Sequence, residues 1–187
     1  MFKGNATKVR TGYDTRWSYV NVWEPKAPFE GAKAKYSVCL LIPKTDTEVI
    51  EDIKASIKAA YKVGESVLKG NGKTIPDLKD IAYPLYDGDV KRPDDPAYAG
   101  HYFLNAKSDT APQIVDANKE RITEKEDVYS GVYGRATITF YPFNKNGQKG
   151  IACGLNNLQK IRDGEPLGFK TSAAEDFGDP EKDDFLD

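Results

Sequence analysis

The segment from Tyr129 to Phe143 alternates between small or apolar side chains and polar or aromatic ones. The first set is Val132, Gly134, Ala136, Ile138 and Phe140, and the second is Tyr133, Arg135, Thr137, Thr139 and Tyr141. Successive side chains of a β-strand point to opposite faces of a sheet. The alternation therefore predicts a strand with the first set in a core and the second set at the surface.

A similar alternation occurs near the start of the chain, where four larger side chains alternate with Ser18, Val20 and Val22. The four are Trp17, Tyr19, Asn21 and Trp23. If they face solvent, they form a second aromatic strand face. The opposite arrangement is equally open, because Trp and Tyr are highly buried on average. For the strand after Tyr129 that arrangement is less favoured, since Arg135 shares a face with the tyrosines.

Patterns in the rest of the chain predict strands and one main helix. Strand patterns cover 2–10, 16–23, 35–42, 101–106, 132–141 and 150–155, and a short helix is predicted at 158–162. From Asp46 to Lys62, apolar residues recur at helical spacing, with Thr45 and Glu48 placed as a capping box and Gly64 as a stop. Residues 64–99 are rich in Gly and Pro, and connections of this length are usually functional or disordered.

This order of elements predicts a mainly β protein. It fits a five-stranded Greek-key barrel of the OB type, with a helix after the third strand and long loop insertions. A small β-sandwich with one helix, or an α+β sheet, would give much the same pattern. With 187 residues and 39% apolar content, the chain is long enough for one well-buried domain plus tails.

Net charge divides the chain into two parts. From Glu175 onward there are seven acidic residues and one basic residue, a net charge of −6, whereas residues 1–174 hold 26 basic and 22 acidic residues, a net of +4. A segment of this composition cannot bury enough apolar surface to fold alone, so we expect it to be disordered. A solubilising terminus is the simpler interpretation. The apolar side chains of Phe177, Phe185 and Leu186 favour a tail that binds a partner.

The surface faces indicate single-stranded nucleic acid as a ligand. Aromatic rings can stack on unpaired bases, and guanidinium groups carry a permanent charge for phosphate. The candidate stacking residues are Trp17, Tyr19, Trp23, Tyr133 and Tyr141. The candidate phosphate ligands are Lys3, Lys8, Arg10, Lys33, Lys35, Arg135, Lys145 and Lys149.

Five blocks of sequence resemble a family of single-stranded-DNA-binding proteins of tailed bacteriophages and prophages. The blocks are YVNVWEPKAP (19–28), KYSVCLLIPKTD (35–46), AGHYFLNAKS (99–108), YSGVYGRATITFYPFN (129–144) and GIACGLNNLQKIRDGEPLG (150–168). The resemblance implies an OB fold, coating of single-stranded DNA in replication or recombination, and no catalytic site. It also implies an acidic C-terminal tail that matters for function, although this chain ends Phe185-Leu186-Asp187 instead of on an aromatic residue.

We therefore expect an OB-fold DNA-binding domain at 1–168 and a disordered acidic tail at 169–187. The tail is expected to compete with DNA and to bind replication or recombination proteins through Phe177, Asp183, Asp184, Phe185, Leu186 and Asp187. Duplex DNA and RNA are left open as weaker ligands, and so is a homodimer. No cofactor is expected.

The expected cellular location follows from two features that the sequence does not show. No run of about 20 apolar residues is present for a membrane helix, and the first residues have no apolar signal core. We expect a cytoplasmic protein, in the host cell if it is encoded by a phage. Cys39 and Cys153 are most simply buried thiols in a reducing cytosol, with a disulfide left open.

Two alternatives to single-stranded-DNA binding remain open. One is a phage structural or interaction protein, and the other is a magnesium-dependent nuclease that uses Asp87, Asp89 and Asp95. His101 is the only histidine, so no histidine-dependent nucleophile or multi-histidine metal site can form. The triplet Gly72-Lys73-Thr74 resembles the end of a phosphate-binding loop, but Val67 occupies the position of its first glycine.

Overall fold

The computed structural model describes residues 2–168. The strands are β1 (Lys8–Arg10), β2 (Arg16–Lys26), β3 (Lys35–Pro43), β4 (Tyr86–Asp87), β5 (His101–Ser108), β6 (Gln113–Val115), β7 (Tyr133–Lys145) and β8 (Gln148–Arg162). The helices are α1 (Thr47–Val63), α2 (Glu65–Lys69) and α3 (Gly88–Lys91), with 3-10 turns at Leu78–Asp80, Pro96–Tyr98 and Lys125–Asp127. Within these residues, no helix has the length and apolar character that crossing a membrane would need.

Five of the strands close into a barrel. β2 pairs antiparallel with β3 and β3 with β5, β5 runs parallel to β8, and β7 is antiparallel to both β8 and β2. The order β7-β2-β3-β5 is a Greek key, since the fourth strand returns to lie beside the first. The predicted mainly β barrel is confirmed. β1 pairs with β7 but is not one of the five barrel strands. The strand before α1, β3, is therefore the third strand of the chain and the second strand of the barrel.

The main helix covers one side of the barrel core. Ile50, Ile53, Ile57 and Ala60 lie on its buried face, and α1 contacts β1 and β7. Gly64 ends the helix as predicted, and its N–H donates to the Ala60 carbonyl oxygen at 3.0 Å. The predicted capping box is wrong, because Asp46 precedes the first helical residue and no side chain caps the helix there.

The predicted faces of β7 are confirmed. Val132, just before the strand, and every second residue along it are buried, as far as Phe140, while the alternate residues are half-buried and Tyr141 is 42% exposed. The strand can keep this alternation because β8 pairs with its whole length.

The predicted faces of β2 are wrong for Trp17. Its side chain is fully buried, whereas Tyr19, two residues later, is 59% exposed. The register with β3 shifts between Ser18 and Asn21, and Tyr19 has a φ of 47°. An extra residue in a bulge reverses the alternation that follows it. The aromatic residues on either side of the bulge therefore face opposite sides.

The short helix predicted at 158–162 is also wrong, because these residues belong to the last barrel strand. Gly134 pairs with Lys160 and Tyr133 with Arg162. The backbone hydrogen bonds that close the barrel outweigh a weak local preference for a helical turn.

Residues 64–99 form an ordered insertion in this structure. Part of it builds a small second core on the outer face of β3 and β5, where Tyr98 packs with Cys39, Leu41 and Phe103. Lys44, just after β3, binds the carboxylates of Asp87 and Asp89 at 2.8 and 2.7 Å and ties the insertion to the barrel.

Both cysteines are buried and free. Burial raises the pKa of the Cys39 thiol to about 11, and it raises the pKa of Cys153 as well. Both side chains are therefore neutral thiols near pH 7, and they contribute to packing.

Candidate nucleic-acid interface

A groove of about 460 Å³ lies on the outer face of β3 and β5, next to the second core. Its lining residues are Tyr19, Asn21, Lys26, Pro28, Phe29, Ala32, Lys33, Lys35, Ser37, Val38, Cys39, Asn105, Lys107 and Lys145. They come from β2, β3 and β5, which are the first three barrel strands, from the loop between β2 and β3, and from the end of β7. OB folds bind oligonucleotides with this face and with the loops on either side of it.

The groove carries a concentrated positive charge. Five of its lining residues are lysines: Lys26, Lys33, Lys35, Lys107 and Lys145. Within residues 2–168, no carboxylate lines the groove itself. Asp109 lies at its edge, 3.3 Å from the Lys33 ammonium and 3.9 Å from that of Lys35. Exposed pairs of this kind contribute little to stability, so a phosphate can displace the carboxylate at low cost.

Three exposed aromatic rings lie in the groove or beside it. Tyr19 and Phe29 line it and are 59% and 70% exposed. Tyr141 packs over Gly154, and Gly154 pairs with Lys107 of the groove on the adjacent strand. Exposed rings beside a basic groove can hold successive bases by stacking.

Tyr19 is held in position by Arg92 from the insertion. The Arg92 guanidinium donates to the Tyr19 hydroxyl at 2.7 Å and lies 5.6 Å from the centre of its ring. The same guanidinium lies 4.8 Å from the ring centre of Tyr98, in the second core. The hydrogen bond to Tyr19 raises the pKa of Arg92.

The structure brings together only part of the predicted binding set. Tyr19, Lys33, Lys35 and Lys145 line the groove, and Tyr141 borders it through Gly154. Trp17 is in the core, where its indole N–H donates to the Gly134 carbonyl oxygen at 3.0 Å. A ring in this position has no free face for a base.

Trp23 and Tyr133 are also restricted. Trp23 is half-buried and packs against the main core. The Tyr133 ring has two guanidinium neighbours, Arg16 at 5.2 Å and Arg162 at 4.1 Å from its centre. Because the Tyr133 ring already has these contacts, a base would compete with arginine for it, and its predicted stacking role stays a prediction.

The remaining predicted phosphate ligands lie away from the groove. Lys3, Arg10 and Arg135 line another cavity, of about 650 Å³, together with the carboxylates of Asp14, Asp46, Glu48 and Asp52. Lys8 lies over the Phe2 ring, 4.8 Å from its centre. Lys149 donates to the Lys69 carbonyl oxygen at 3.5 Å. Their binding roles also stay predictions.

Sequence reasoning missed several lining residues. Phe29 and Lys26 lie in or beside the loop after β2, and Asn105 and Lys107 face outward from β5. The alternation of polar residues in HYFLNAKS could have indicated the last two. No strand pattern indicates the loop residues, because the conformation of the loop after β2 places them in the groove.

The predicted partner-binding residues lie outside the described residues. They are Phe177, Asp183, Asp184, Phe185, Leu186 and Asp187.

The carboxylates of the rival nuclease are already engaged. Asp87 and Asp89 share Lys44, and Asp89 also accepts a hydrogen bond from the Gly100 N–H at 3.0 Å. The Asp95 carboxylate accepts from the Ala97 N–H at 3.1 Å. These bonds organise the insertion, and the Lys44 bond lowers the pKa of Asp89. They give the three carboxylates a structural role.

A closed five-stranded barrel with a basic, aromatic groove on this face defines an OB-like nucleic-acid-binding protein. The sequence model of the family described as "Enterobacter phage Enc34, ssDNA-binding protein" matches residues 7–186. This chain belongs to that family, which consists of non-enzymatic phage single-stranded-DNA-binding proteins. A relative, "Putative protein p50" of Acyrthosiphon pisum secondary endosymbiont phage 1, is 33% identical over 174 residues, covering 89% of this chain and 90% of the relative.

Solved structures share the fold. The single-stranded DNA-binding protein from bacteriophage Enc34 in complex with ssDNA has a TM-score of 0.68 and 24% identity, covering 90% of this chain and 97% of that one. Its C-terminal truncation has a TM-score of 0.72 and 22% identity, covering 89% and 95%. The gp2.5 protein of bacteriophage T7 has a TM-score of 0.61 and 14% identity, covering 96% and 98%. At these identities the structures establish a shared fold.

Proposed function

We propose that the protein coats single-stranded DNA with little sequence preference during phage DNA replication or recombination. The observation that carries the proposal is the groove, in which five lysines and two exposed aromatic rings share one face of the barrel. Bases stack on Tyr19, Phe29 and Tyr141, and the lysines neutralise phosphates. Every base offers a ring face and every nucleotide a phosphate, so this mode of binding tolerates any sequence.

A salt titration tests the electrostatic part. For single strands, the slope of log K against log salt is about −0.7 for each phosphate contacted. Contacts from several lysines predict a slope of roughly −2 to −5. Fluorescence anisotropy with single-stranded and duplex oligonucleotides measures both the slope and the preference for single strands. An affinity that does not change with salt would contradict the proposal.

Two double variants test whether DNA binds in the groove. Lys35→Ala combined with Lys107→Ala removes two groove cations, and Lys58→Ala combined with Lys62→Ala removes two exposed cations from α1. Net charge falls equally in both. We expect the groove variant to weaken binding and to reduce the salt slope by about 1.4 in magnitude, and the helix variant to bind like the original protein. Equal effects of the two variants would place the DNA elsewhere.

The acidic tail at 169–187 is proposed to compete with DNA for the groove. Support comes from the residues just before the tail. Leu167 and Gly168 line a cavity of about 520 Å³ together with Tyr19, which also lines the groove. A tethered segment meets its site at an effective concentration in roughly the millimolar range. The displaced tail then recruits replication or recombination proteins through its acidic residues and Phe177, Phe185 and Leu186.

A phage structural or interaction protein remains the second candidate. Its support is the negative tail itself, which fits a basic protein partner as well as it fits competition with DNA. The oligonucleotide titration separates the two candidates, because an interaction protein without a DNA role would not prefer single strands at physiological salt. The groove of this chain, and the complex of the Enc34 relative with ssDNA, favour the DNA-binding function.

A further inference from the structure

A small slot lies on the outer face of β7 and β8, outside the groove. Its volume is about 170 Å³. Its lining residues are Arg10, Val115, Lys119, Arg135, Ala136, Thr137, Asn157, Leu158 and Gln159. Sites for whole small molecules usually measure about 300–1,000 Å³. The slot is therefore suited to one group of a larger ligand.

The slot combines apolar walls with positive charge. Val115 is half-buried and contributes apolar surface. Ala136 and Leu158 line the floor with their backbone, since their side chains are 1% exposed and face the core. Arg10, Lys119 and Arg135 contribute the charge. Among residues 2–168, none of the three cations forms an ion pair, and no carboxylate lines the slot. The Nε of Arg135 is buried without a hydrogen-bond partner in the same part of the chain. The Arg135 guanidinium lies over the Tyr13 ring, 4.5 Å from its centre. Three cations without a carboxylate in the slot indicate an anionic ligand group such as a phosphate.

The loop that carries Lys119 is fixed in place. The Asp116 carboxylate accepts hydrogen bonds from the N–H groups of Asn118 and Glu120 at 2.8 and 3.0 Å. The Gln159 side chain donates to the Asp116 and Ala117 carbonyl oxygens at 3.3 and 3.4 Å, which holds the loop on β8. Lys119 itself has a φ of 67°. A non-glycine residue in this conformation costs free energy, and the surrounding hydrogen bonds maintain it.

The slot is connected to the groove by the outer face of β7. Tyr141 borders the groove and Thr137 lines the slot, four residues further back along the same strand. At about 3.3 Å for each residue of a strand, the two positions are roughly 13 Å apart. Thr139 lies between them on the same half-buried face. A strand that leaves the groove over Tyr141 can follow this face without crossing the barrel.

We propose that this slot is a second contact for the same single strand, holding one nucleotide beyond the groove. The base lies over the backbone of β7 and β8 beside Val115, and the neighbouring phosphates meet Arg10, Lys119 and Arg135. The proposal rests on the proposed function, because a strand must first occupy the groove. It gives Arg10 and Arg135, which lie outside the groove, a contact with DNA that depends on strand length.

The test compares two oligonucleotide lengths. Single OB folds bind about 4 to 16 nucleotides, so a deoxythymidine oligomer of about 4 occupies the groove alone and one of about 16 reaches the slot. Arg10→Ala combined with Lys119→Ala removes two exposed cations of the slot. Lys58→Ala combined with Lys62→Ala is the matched control on α1. Affinity, salt slope and melting temperature are measured for each protein.

We expect the slot variant to bind the short oligomer like the original protein and the long one several-fold more weakly. Its salt slope on the long oligomer falls by about 1.4 in magnitude, which is 0.7 for each of two phosphates. Equal loss at both lengths, or no loss with the long oligomer, would overturn the proposal. The groove variant with Lys35→Ala and Lys107→Ala reports on the proposed function separately, because that function requires weaker binding of the short oligomer.

Discussion

At the residue scale, the aromatic side chains divide into packed rings and free rings. Trp17 is fully buried and bonded to the Gly134 carbonyl oxygen, whereas Phe29 is 70% exposed in the groove. Both are large aromatic residues in or near β2, so composition alone cannot separate them. Burial decides which of them is available to a base.

Replacing Phe29 should affect DNA binding, whereas replacing Trp17 should affect stability. Phe29→Ala should weaken binding of single-stranded DNA by about 1–3 kcal/mol, the range for one stacked base, with an unchanged melting temperature. Trp17→Ala should lower the free energy of unfolding by about 3–5 kcal/mol, because it leaves a cavity in the core. Urea unfolding and anisotropy measured on both variants check this. A stable Trp17→Ala protein that binds weakly would contradict the assignment.

Replacing Asp109 at the edge of the groove should improve binding. Its carboxylate lies 3.3 Å from Lys33 and competes with phosphate for that lysine. Asp109→Asn should therefore tighten binding at low salt, and the gain should shrink as salt screens the charge. Asp80→Asn, on an exposed 3-10 turn away from the groove, is the control with the same charge change. Equal gains from the two variants would mean that net charge alone is responsible.

At the element scale, the closure of the barrel depends on a close approach between β7 and the core. Gly134 of β7 lies against the Trp17 ring and the Gln159 carbonyl oxygen, and a Cβ at this position would overlap both. Trp17 and Gly134 are therefore coupled: the bulky ring fits because its neighbour has no side chain.

Gly134→Ala should destabilise the fold. Overpacking in a well-packed core typically costs about 1–3 kcal/mol, because side chains or backbone must move. The free energy of unfolding from urea titration measures this cost. Gly168→Ala is the control, since among residues 2–168, apart from its chain neighbour, no atom lies within 4 Å of the Cβ that it would add. If Gly134→Ala unfolds at the urea concentration of the original protein, the ring and the strand are not coupled as described.

At the scale of the whole molecule, a basic body is joined to an acidic segment. Residues 175–187 carry a net charge of −6, against +4 for residues 1–174. Removing residues 175–187 should tighten single-strand binding, chiefly at low salt, because the intramolecular competitor is lost. The same deletion should reduce the difference between low-salt and high-salt affinity, since the contact of the tail is itself screened.

The two roles of the tail can be separated. Phe185→Ala combined with Leu186→Ala keeps every charge, so DNA binding should be nearly unchanged while a partner that needs apolar contacts binds more weakly. Anisotropy measures the first effect, and pull-down with the purified partner measures the second. Unchanged DNA affinity at low salt after deletion of 175–187 would leave the tail as a solubilising segment.

The sequence by itself determined the features that depend on local pattern and on charge. The faces of β7 follow from strict alternation along an unbroken strand, and α1 follows from helical spacing that ends at Gly64. The division of net charge between residues 1–174 and 175–187 follows directly from the numbers of acidic and basic residues in each part. Five blocks of sequence were also enough to indicate the family that the comparisons establish.

Only the tertiary structure decided which residues share the groove. The bulge at Tyr19 placed this residue on the face opposite to the buried Trp17. The pairing of 158–162 with β7 made a strand where the local pattern indicated a helix. Lys26 and Lys107 are 81 positions apart and meet because β3 lies between their strands. Local patterns report which way a side chain points within one element. The pairing of strands decides which other residues that side chain meets, because pairing lowers the free energy only when distant segments come together.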